Sequence, residues 1–432
     1  MNIVCVGGGP AGLYAGLLMK LRDPRHNVTV VERNRAGDTF GWGVVFSDQT
    51  LGNLALADAP SARAIEAAFN RWDAIDVLIN GATVRSHGHG FCGIARKRLL
   101  GILQARCEEA GVALVFDTEV TDAVVLARRH GADLVVAADG VHSAIRTRHA
   151  AVFQPDLQEQ TCRYVWLGTR RRFAAFTFAF EQTEHGWFQA HAYPYDDGHA
   201  TFIIETPEST WRASGLADLD PAATLAFCER LFARVLGGEP LLTQATRGGA
   251  GMWHRFARLT CRQWVHAIDV AGRRVPLVLL GDAAHTAHFS IGSGTKLALE
   301  DAIALAASLP AEADGDLDAA LLRYQAARMT EVSKLQSAAR NSMDWFENVA
   351  RYGAMPVDGF AYSLLTRSQR LSHENLRLRD PAYIEGFERR FAAQAAEQAG
   401  VAAPTMATPP MFTPLRVRDV LLKNRVVVSP MA

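Results

Sequence analysis

The sequence lacks the features that mark several classes of protein. Its 45 basic and 45 acidic residues cancel, so no net positive field favours a nucleic-acid partner. No apolar run reaches the roughly 18 residues that a membrane-spanning helix needs, and the N-terminus shows neither the basic region nor the cleavage site of a signal peptide. We therefore expect a protein of the reducing cytoplasm that binds neither nucleic acid nor membrane.

Cysteine is also scarce, and nothing in its spacing points to a metal. The six cysteines form no CxxC pair, and Cys5 and Cys107 fall in apolar strand and helix patterns that favour buried free thiols. His87 and His89, in SHGHG, would suggest a metal only with further ligands, which the sequence does not place. We expect a loop there and no metal site. The 432 residues, 49% hydrophobic, are typical of about two or three globular domains.

A glycine-rich turn is present in the first dozen residues. The string VCVGGGPAG joins a strand to a helix that extends to about Leu21, and a second strand, residues 28–31, ends at Glu32. In this setting the first glycine of GxGxxG makes the turn, the second lets a pyrophosphate approach the positive end of the helix, and the third lets helix and strand pack. An acid at the end of the second strand accepts hydrogen bonds from a ribose. The pattern predicts dinucleotide binding, by FAD or NAD, at Gly7, Gly9, Pro10, Ala11, Gly12, Glu32 and Arg33.

A second element follows a buried strand at residues 132–138. The strand ends at Asp139-Gly140, and Ser143 and Arg146 follow at helical spacing in DGVHSAIR. A carboxylate at a strand end suits a sugar-like hydroxyl of a cofactor. Taken alone, the string is explained equally well by an Asp-Gly turn that Ser143 caps into a helix.

The third element follows another buried strand, residues 275–280. That strand ends at Gly281-Asp282, and Gly292-Ser293-Gly294-Thr295 then opens a helix. A glycine-rich helix start offers free backbone N–H groups and the positive end of a dipole. This environment suits the negative charge of a reduced flavin, so the third element favours FAD.

The three elements in this order resemble the single-component aromatic hydroxylases with the para-hydroxybenzoate hydroxylase fold. The family patterns are GxGxxG, DGxxSxxR and GDAAHxxxPxxGxGxN; the first two match in full, whereas Phe289 replaces the proline of the third and Lys296 its asparagine. The resemblance implies FAD, with NADH or NADPH as electron donor. It implies a Rossmann-like α/β FAD-binding domain, an inserted antiparallel β substrate domain and C-terminal helices. It also implies that Arg96 reaches the FAD; without the family, Arg96 would be a solvated helix charge.

Longer strings resemble one group within that family. MKLRDPRHNVTVVERNRAGDTFGWGVVFSD, YVWLGT, QAHAYPY and GDAAHTAHFSIGSGT are similar to the salicylyl-CoA 5-hydroxylase and 2-aminobenzoyl-CoA monooxygenase group, and a violacein-pathway indole hydroxylase is a more distant relative with the same HFSIG variant. The group's reaction implies that reduced FAD binds O2 as a C4a-hydroperoxide, which hydroxylates the ring of an aryl-CoA thioester. Salicylyl-CoA, hydroxylated at position 5, and 2-aminobenzoyl-CoA are the expected substrates. A free aromatic or indole substrate and a non-catalytic flavin-fold protein stay open as alternatives.

Catalytic roles are predicted from position in these elements. The helix start at Gly292, Gly294 and Thr295 is expected to stabilise charge, and Trp42, in the loop after Glu32, to lie on the isoalloxazine side. His288 is the candidate base for activating the ring, with a packed, hydrogen-bonded histidine as the alternative. The run Arg170, Arg171 and Arg172 would meet the phosphates of a CoA tail or form a solvated turn.

A second domain is indicated by four strand-like runs between residues 161 and 206. Phe176, Phe178 and Phe180 alternate on one face, as in an antiparallel sheet that covers a pocket, and His191 and Tyr193 are candidates to line the substrate space. We expect the first part of the FAD-binding domain at 1–160, with a substrate-domain strand near 75–86. The substrate domain would cover 161–255, the second FAD-binding part 256–315, and C-terminal helices 316–397.

Residues 398–432 form the last predicted segment. VAAPTMATPP has the composition of a linker. MFTPLRVRDVLLKNRVVVSPMA resembles the start of an Old Yellow Enzyme-type barrel, in which an NRxxxxPM string ends the first strand. Because one strand cannot build an eight-stranded barrel, we expect a covalently linked barrel domain in the complete protein. A short C-terminal strand is the alternative.

Overall fold

The strands of the molecule belong to four sheets. The structure is a computed structural model and describes residues 1–244, 252–310 and 315–428. The first nine strands in chain order are β1 (Asn2–Val6), β2 (Asn27–Val31), β3 (Gly43–Ser47), β4 (Asn70–Trp72), β5 (Ile75–Ile79), β6 (Ala82–Ser86), β7 (Phe91–Ala95), β8 (Ala113–Val115) and β9 (Leu134–Ala137). The others are β10 (Pro155–Thr169), β11 (Phe176–Thr183), β12 (Gly186–Pro194), β13 (Ala200–Thr206), β14 (Leu241–Leu242), β15 (His254–Cys261), β16 (Val265–Val270), β17 (Arg273–Leu279), β18 (Leu415–Val417) and β19 (Val420–Leu422).

The helices flank the sheets and build most of the C-terminal third. Those of the first two thirds are α1 (Pro10–Arg22), α2 (Asp48–Ala57), α3 (Ala59–Glu66), α4 (Arg96–Ala110), α5 (Ala123–His130), α6 (Ala144–Arg148), α7 (Ala150–Phe153), α8 (Glu208–Ala213), α9 (Pro221–Leu231) and α10 (Ala233–Leu236). They are followed by α11 (Gly294–Ser308), α12 (Leu317–Glu347), α13 (Val357–Thr366), α14 (His373–Arg379) and α15 (Pro381–Ala399). None of the helices in the described ranges is long and apolar enough to cross a membrane.

The first sheet is the predicted Rossmann-like layer. Its strand order is β16-β17-β9-β1-β2-β8, and every pair is parallel except β16 with β17. Strand β9 and residues 275–279 of β17 are apolar and buried, as strands covered on both faces must be, whereas Arg273 and Arg274 at the start of β17 are exposed. Helix α1 packs against both α4 and α11. The carboxyl ends of β1, β9 and β17 therefore meet at one edge of the sheet, where ligands of such folds bind.

The second sheet is the predicted antiparallel layer, with one parallel pair. The order β14-β10-β13-β12-β11-β5-β6 includes a parallel pairing of β11 with β5, and β15 pairs with β10. The prediction of a single strand near residues 75–86 is wrong, because this segment forms a hairpin of two strands, β5 and β6. Asn80 (φ 52°) and Gly81 (φ 79°) form its turn, in the left-handed region that an Asn-Gly pair adopts readily.

The phenylalanines of β11 join the second sheet to the C-terminal helices. Phe178 lies 5.9 Å from Phe346 of α12, and Phe180 lies 5.8 Å from Trp345 and 4.8 Å from Phe360 of α13, as ring centroids. These rings form one buried cluster with residues of β5. The alternating face read from the sequence is thus the surface on which the helices pack.

Two of the predicted segments contain secondary structure that the sequence did not indicate. Strand β10 already begins at Pro155, because its first half pairs with β15 and a bulge between Glu159 and Arg163 separates the halves. Helices α8, α9 and α10 follow β13. The division into domains stays a prediction, and its residues 245–251 and 311–314 lie outside the described ranges.

The segment after α15 folds back on that helix. Strands β18 and β19 pair as a short hairpin, and Arg416 donates hydrogen bonds to the Ala399 carbonyl at the end of α15. Residues 424–428 form no strand, and the end of the NRxxxxPM string, residues 429–431, lies outside the described residues. The barrel resemblance therefore stays a prediction.

Candidate active site

The glycine turn after β1 has room only for glycine at two positions. A Cβ on Gly12 would lie 2.0 Å from the Gly7 carbonyl oxygen, and a Cβ on Gly7, whose φ is +109°, would lie 2.2 Å from the Ala138 oxygen. By contrast, a Cβ on Gly9 would meet no atom within 4 Å. Gly7 and Gly12 thus let strand and helix approach, while Gly9 faces open space where a ligand backbone can approach.

Glu32 braces this turn. Its Oε2 accepts a hydrogen bond of 2.6 Å from the Gly8 backbone N–H, and its Oε1 accepts one of 2.8 Å from the Asn34 backbone N–H. Oε1 also accepts a hydrogen bond of 2.5 Å from the Asn34 side-chain amide, so Oε2 is the oxygen that keeps a lone pair for a ribose hydroxyl. The predicted ribose acceptor is therefore also the side chain that shapes the glycine turn.

A cleft of about 220 Å³ opens along this edge of the sheet. Six of the predicted cofactor residues line it, from the first two elements and the start of α4: Gly7, Gly9, Glu32, Arg33, Arg96 and Asp139. Pro10, Ala11 and Gly12 stand behind it in the first turn of α1. The free N–H groups of that turn point toward the cleft, so the helix dipole favours an anion there.

Asp139 carries an atom with no partner. Its Oδ2 accepts a hydrogen bond of 3.4 Å from the Ile145 backbone N–H, whereas Oδ1 is buried and, among the residues that the structure describes, has no partner. Burial raises the pKa of this carboxyl. Because buried polar atoms are nearly always hydrogen-bonded, Oδ1 suits a hydroxyl of a bound cofactor.

Arg146 ties the second motif to the third. Its guanidinium donates to the Ala283 carbonyl at 3.0 Å and to the Val141 carbonyl at 2.5 Å. Ser143 caps α6 by accepting a hydrogen bond of 2.9 Å from the Arg146 N–H. The turn that Ser143 caps and the predicted cofactor motif, which were alternative explanations of DGVHSAIR, are thus compatible with the same structure.

Asp282 and Arg96 interact electrostatically, and of the two Arg96 lines the cleft. Burial by the surrounding protein raises the pKa of Asp282, whose side chain remains accessible to solvent, while the charges of His285 and Arg96 act in the opposite direction. Burial lowers the pKa of the Arg96 guanidinium, which Asp282 and Tyr193 oppose. An acceptor and a donor are thus available to the same ligand, and the donor set fits FAD.

A buried ion network that the sequence did not reveal supports Asp282. Asp301 of α11 accepts hydrogen bonds from His285 at 2.6 Å, from the Gly281 N–H at 3.2 Å and from Arg328 of α12 at 2.7 Å. His285 stands in the quoted GDAAH string, but Asp301 and Arg328 lie in ordinary helical patterns. The network fixes the Gly281–Ala283 turn against α11 and α12.

The predicted helix start is confirmed at α11. Gly292 has φ 62°, Ser293 is the N-cap residue, and the helix begins at Gly294 and Thr295. Lys296, at the family's asparagine position, pairs with Glu300 at 3.0 Å. The first N–H groups of α11 therefore point out of the helix toward the predicted flavin position.

Trp42 lies against the second sheet. Its indole N–H donates to the Trp166 carbonyl at 3.3 Å, and its ring packs on Gly168, where a Cβ would lie 2.7 Å away. Trp42 is not among the residues that line the 220 Å³ cleft. It therefore joins the loop after Glu32 to β10, and its contact with a flavin stays a prediction.

His288 and His191 share one buried carboxylate, Glu205. His288 Nε2 lies 3.5 Å from Glu205 Oε1 and His191 Nε2 lies 3.4 Å from Glu205 Oε2; all three side chains are buried. Burial raises the pKa of Glu205, but the contacts with both histidines outweigh it and hold the value at about 2. Burial lowers the pKa of His191, against the effect of Glu205. Glu205 is therefore an anion in the interior of the protein.

The other ring nitrogen of His288 also has a partner. Its Nδ1 lies 2.9 Å from Ser290 Oγ, which is in turn 2.9 Å from Ser342 Oγ of α12. Arg367 donates to Ser342 Oγ and to the Ser290 carbonyl, both at 2.8 Å. This geometry is that of a packed, hydrogen-bonded histidine, and a role for His288 as a base stays a proposal.

His191 and Tyr193 occupy neighbouring aromatic groups on one face of β12. The His191 ring lies 4.6 Å from Phe346, 5.1 Å from Phe178 and 5.6 Å from Phe289, as centroids. Tyr193 donates its hydroxyl to the Gly43 carbonyl at 3.0 Å and packs 5.2 Å from Phe176. Phe289, at the family's proline position, thus contacts the predicted substrate residue His191.

The remaining charged and polar candidates lie elsewhere. Arg170, Arg171 and Arg172 are exposed in the turn after β10. His89 is buried against Ser86 Oγ at 2.9 Å, and His87 lies 3.6 Å from Asp73. Across the described ranges, no group of three or more His, Cys, Asp or Glu side chains is placed to hold a metal ion. Cys5 and Cys107 are buried free thiols, as predicted, and the other four cysteines are buried as well.

Known structures share this fold. A structure of 2-methyl-3-hydroxypyridine-5-carboxylic acid oxygenase aligns over 88% of this chain and 97% of its own, with a TM-score of 0.63 at 16% identity. The FAD-dependent monooxygenase PqsL of Pseudomonas aeruginosa, in complex with 2-aminobenzoylacetate, aligns over 82% of this chain and 98% of its own, with a TM-score of 0.59 at 18% identity. At these identities the likeness shows a shared fold.

Sequence comparison assigns the family. The family model described as an FAD binding domain matches residues 1–194. Salicyloyl-CoA 5-hydroxylase of a Streptomyces species is 40% identical over 89% of this chain and 73% of its own length. A 3-hydroxy-4-methyl-anthranilyl-[aryl-carrier protein] 5-monooxygenase of Streptosporangium sibiricum is 35% identical over 87% and 97%, and protodeoxyviolaceinate monooxygenase of Chromobacterium violaceum is 32% identical over 81% and 90%. The chain belongs to the FAD-dependent aromatic monooxygenases, which sets aside the non-catalytic alternative.

Proposed function

We propose that this monooxygenase uses NADH or NADPH and O2 to hydroxylate an aromatic acyl group carried as a CoA thioester. The observation that carries the proposal is the pair of relatives at 40% and 35% identity, whose names give a salicyloyl-CoA and an aryl-carrier-protein substrate. Both substrates are thioesters of a benzoyl ring with a hydroxyl or amino group. Salicylyl-CoA, hydroxylated at position 5, and 2-aminobenzoyl-CoA are the proposed substrates.

The residues of the cleft would divide the binding of FAD among them. The first turn of α1 would hold the pyrophosphate, Glu32 a ribose, and Asp139, Asp282 and Arg96 the remaining polar groups. Bound FAD would supply the redox chemistry, accepting electrons from the nicotinamide and activating O2. The N–H groups at Gly294 and Thr295 would stabilise negative charge near the reacting ring, because they lie at the positive end of α11.

The substrate ring would lie beside His191 and Tyr193. Both residues are on the sheet face that meets Phe289 and the α11 start. Phe178, Phe289 and Phe346 surround His191 and would exclude water from the ring. Glu205 would keep His191 and His288 oriented, and His288 would exchange a proton with the ring substituent only through this network.

A free aromatic or indole substrate is the second candidate function. It is favoured by protodeoxyviolaceinate monooxygenase, which is 32% identical over 81% of this chain. We also retain the proposal that residues 398–432 lead into a covalently linked Old Yellow Enzyme-type domain. Its support is the resemblance of residues 411–432 to the start of such a barrel.

A substrate panel tests the proposal. Purified protein with FAD is supplied with NADH or NADPH and with salicylyl-CoA, 2-aminobenzoyl-CoA, the two free acids and tryptophan-derived indoles. Nicotinamide oxidation and hydroxylated product are both measured, since oxidation alone also reports uncoupled reduction of O2. We expect product from the thioesters. Product from free acids or indoles but not from thioesters would exclude the proposal in favour of the second candidate.

A further inference from the structure

A large cavity lies between the FAD cleft and the substrate sheet. It measures about 950 Å³, and we name it the lateral cavity. One wall is residues 164–167 of β10, the opposite wall is the loop at Phe40 and Gly41, and the start of α9 closes one side at Pro221 and Ala222. We propose that the lateral cavity binds the phosphopantetheine arm of the aryl thioester, an inference that rests on the proposed function.

The lateral cavity connects the two places that a substrate with a long arm must join. At one end it shares Arg33, Phe40 and Glu119 with the FAD cleft. At the other end it reaches Tyr164, whose ring centroid lies 4.9 Å from that of Phe289. Phe289 in turn lies 5.6 Å from His191. A ring held beside His191 would therefore be separated from the lateral cavity by the side chains of Phe289 and Tyr164, past which the arm would run.

The size of the lateral cavity exceeds what an aromatic ring requires. An apolar cavity of roughly 150 Å³ is enough to admit benzene. The lateral cavity is several times larger at about 950 Å³, near the upper end of the roughly 300–1,000 Å³ found for ligands of drug size. A free salicylate or indole would leave most of this volume unused, whereas a phosphopantetheine arm would occupy a larger share of it.

The lining of the lateral cavity matches the alternating chemistry of that arm. Val165, Leu167, Leu225 and Met252 offer apolar surface to its methylene and methyl groups, and Thr243 adds a hydroxyl for an amide. A side chain on the rim holds the opposite wall in place. Gln244 donates to the Gly41 carbonyl at 2.9 Å and accepts from the Gly41 N–H at 2.8 Å.

A cluster of arginines follows the wall strand. Arg170, Arg171 and Arg172 are exposed and begin three residues after Leu167, which is roughly 10 Å along a strand. Guanidinium groups bind phosphate oxygens in a bidentate manner. The phosphates of a CoA, or the phosphate that joins the arm to a carrier protein, would meet these arginines where the arm leaves the protein.

The test introduces a larger side chain at an exposed position of the lateral cavity, so that the cavity becomes narrower. Ala222→Trp fills it from the first turn of α9, and Ala222→Phe does so to a lesser degree. The matched control is Ala307→Trp, an exposed alanine of α11 that lines a different groove between α1 and α12. FAD content and the thermal unfolding midpoint show whether each variant is folded. KM and kcat are measured for salicylyl-CoA, salicylyl-pantetheine and the nicotinamide that the enzyme uses.

We expect Ala222→Trp to raise the KM of both thioesters at least tenfold and Ala222→Phe to raise it less. The KM of the nicotinamide and the FAD content should stay unchanged, and Ala307→Trp should match the wild type. An unchanged thioester KM in a folded Ala222→Trp variant overturns the inference while the proposed function stands. A rise in the nicotinamide KM alone overturns it as well. If the wild type hydroxylates no thioester, the proposed function and the inference fail together.

The source of the arm is distinguished by a second variant. Replacing Arg170 and Arg172 by alanine should raise the KM of salicylyl-CoA and of a salicylyl-carrier protein severalfold, since both carry the phosphate of the arm. The KM of salicylyl-pantetheine, which lacks phosphate, should not change. If only the KM of salicylyl-CoA rises, the arm that binds is that of free coenzyme A. If only the KM of the salicylyl-carrier protein rises, the arm that binds is attached to a protein. Equal effects on all three thioesters contradict a phosphate contact.

Discussion

The two large sheets of this molecule place their polar groups in opposite ways. In the parallel sheet, Gly7, Asp139 and Gly281 follow the carboxyl ends of β1, β9 and β17, so the cofactor groups meet at an edge open to a cleft. In the antiparallel sheet, His191 and Glu205 lie inside neighbouring strands and are buried. The first arrangement leaves polar groups available to a ligand, whereas the second places them against other side chains inside the protein.

This difference predicts two kinds of response to mutation. Asp139 Oδ1 is without a partner among the described residues and Asp282 is exposed to solvent, so we expect changes near them to weaken FAD binding. Glu205 already contacts two histidines, so we expect a substitution of Glu205 to lower the free energy of unfolding while FAD stays bound.

The largest effect is expected at Gly12. Gly12→Ala places a Cβ 2.0 Å from the Gly7 oxygen, so α1 and the turn must separate, and overpacking of this kind costs roughly 1–3 kcal/mol or more. We expect the purified protein to lose FAD and its free energy of unfolding to fall by about 3 kcal/mol. The ratio of flavin to protein absorbance and denaturant titration measure the two effects.

Gly9→Ala is the matched control in the same turn. Its added Cβ meets no protein atom within 4 Å, so the apoprotein should be as stable as the wild type. FAD affinity should nevertheless fall, because the methyl group occupies the space through which a pyrophosphate approaches. If Gly9→Ala binds FAD normally, the cleft is not the cofactor site that we describe.

A smaller effect is expected at Glu205. Glu205→Gln keeps the shape of the side chain but removes the charge between His191 and His288. Leaving buried groups imperfectly paired costs roughly 1–3 kcal/mol, so we expect the free energy of unfolding to fall by that amount with FAD content unchanged. Glu385→Gln, at an exposed residue of α15, is the control and should have no measurable effect. Loss of FAD in Glu205→Gln would break the contrast between the sheets.

The smallest effect is a dependence of stability on pH. Burial lowers the pKa of His191 below the usual value of about 6.5, despite Glu205 and with the charges of Arg367 and His288 acting in the same direction as burial. As pH falls, the histidine of the unfolded chain is therefore protonated at a higher pH than His191 in the folded protein. Stability is present above about pH 6.5 and is lost as pH falls, at no more than about 1.4 kcal/mol per pH unit for one proton.

The measurement compares the wild type with His191→Gln between pH 7 and 5. The variant has no titrating group at this position, so its free energy of unfolding should fall less steeply. Glu205, with its pKa held at about 2, adds a further loss only below its usual pKa of about 4.3. Tyr164 and Cys162, which also face Glu205, have raised pKa values because they are buried, and they do not titrate in this range. Parallel slopes would contradict the burial of a neutral His191.

The sequence predicted the parallel sheet well because its motifs are local. Each of Gly7, Asp139 and Gly281 stands beside the strand that positions it, and a few adjacent residues suffice to identify the turn. The hairpin at Asn80-Gly81 was missed although its turn has an ordinary signature, because its two strands were taken as one.

The antiparallel sheet was harder because its contacts are set by pairing between strands. Glu205 meets His191 only because β12 and β13 pair in one register, and it meets His288 only because the loop before α11 returns to that sheet. Asp301 and Arg328 likewise meet through the packing of α11 on α12. Contacts of this kind depend on tertiary structure and cannot be inferred from the spacing of residues in the sequence.

The hydrogen bonds of Arg146 have a consequence for the order of synthesis. Arg146 binds the Ala283 carbonyl, 137 positions along the chain, and the whole antiparallel sheet is built from residues between them or before them. As chains leave the ribosome from the N-terminus, β1, β2 and β9 emerge long before β17. The cofactor edge of the nascent protein thus remains incomplete until about 300 residues have been translated, and FAD can be captured only by a chain whose substrate half has already been made.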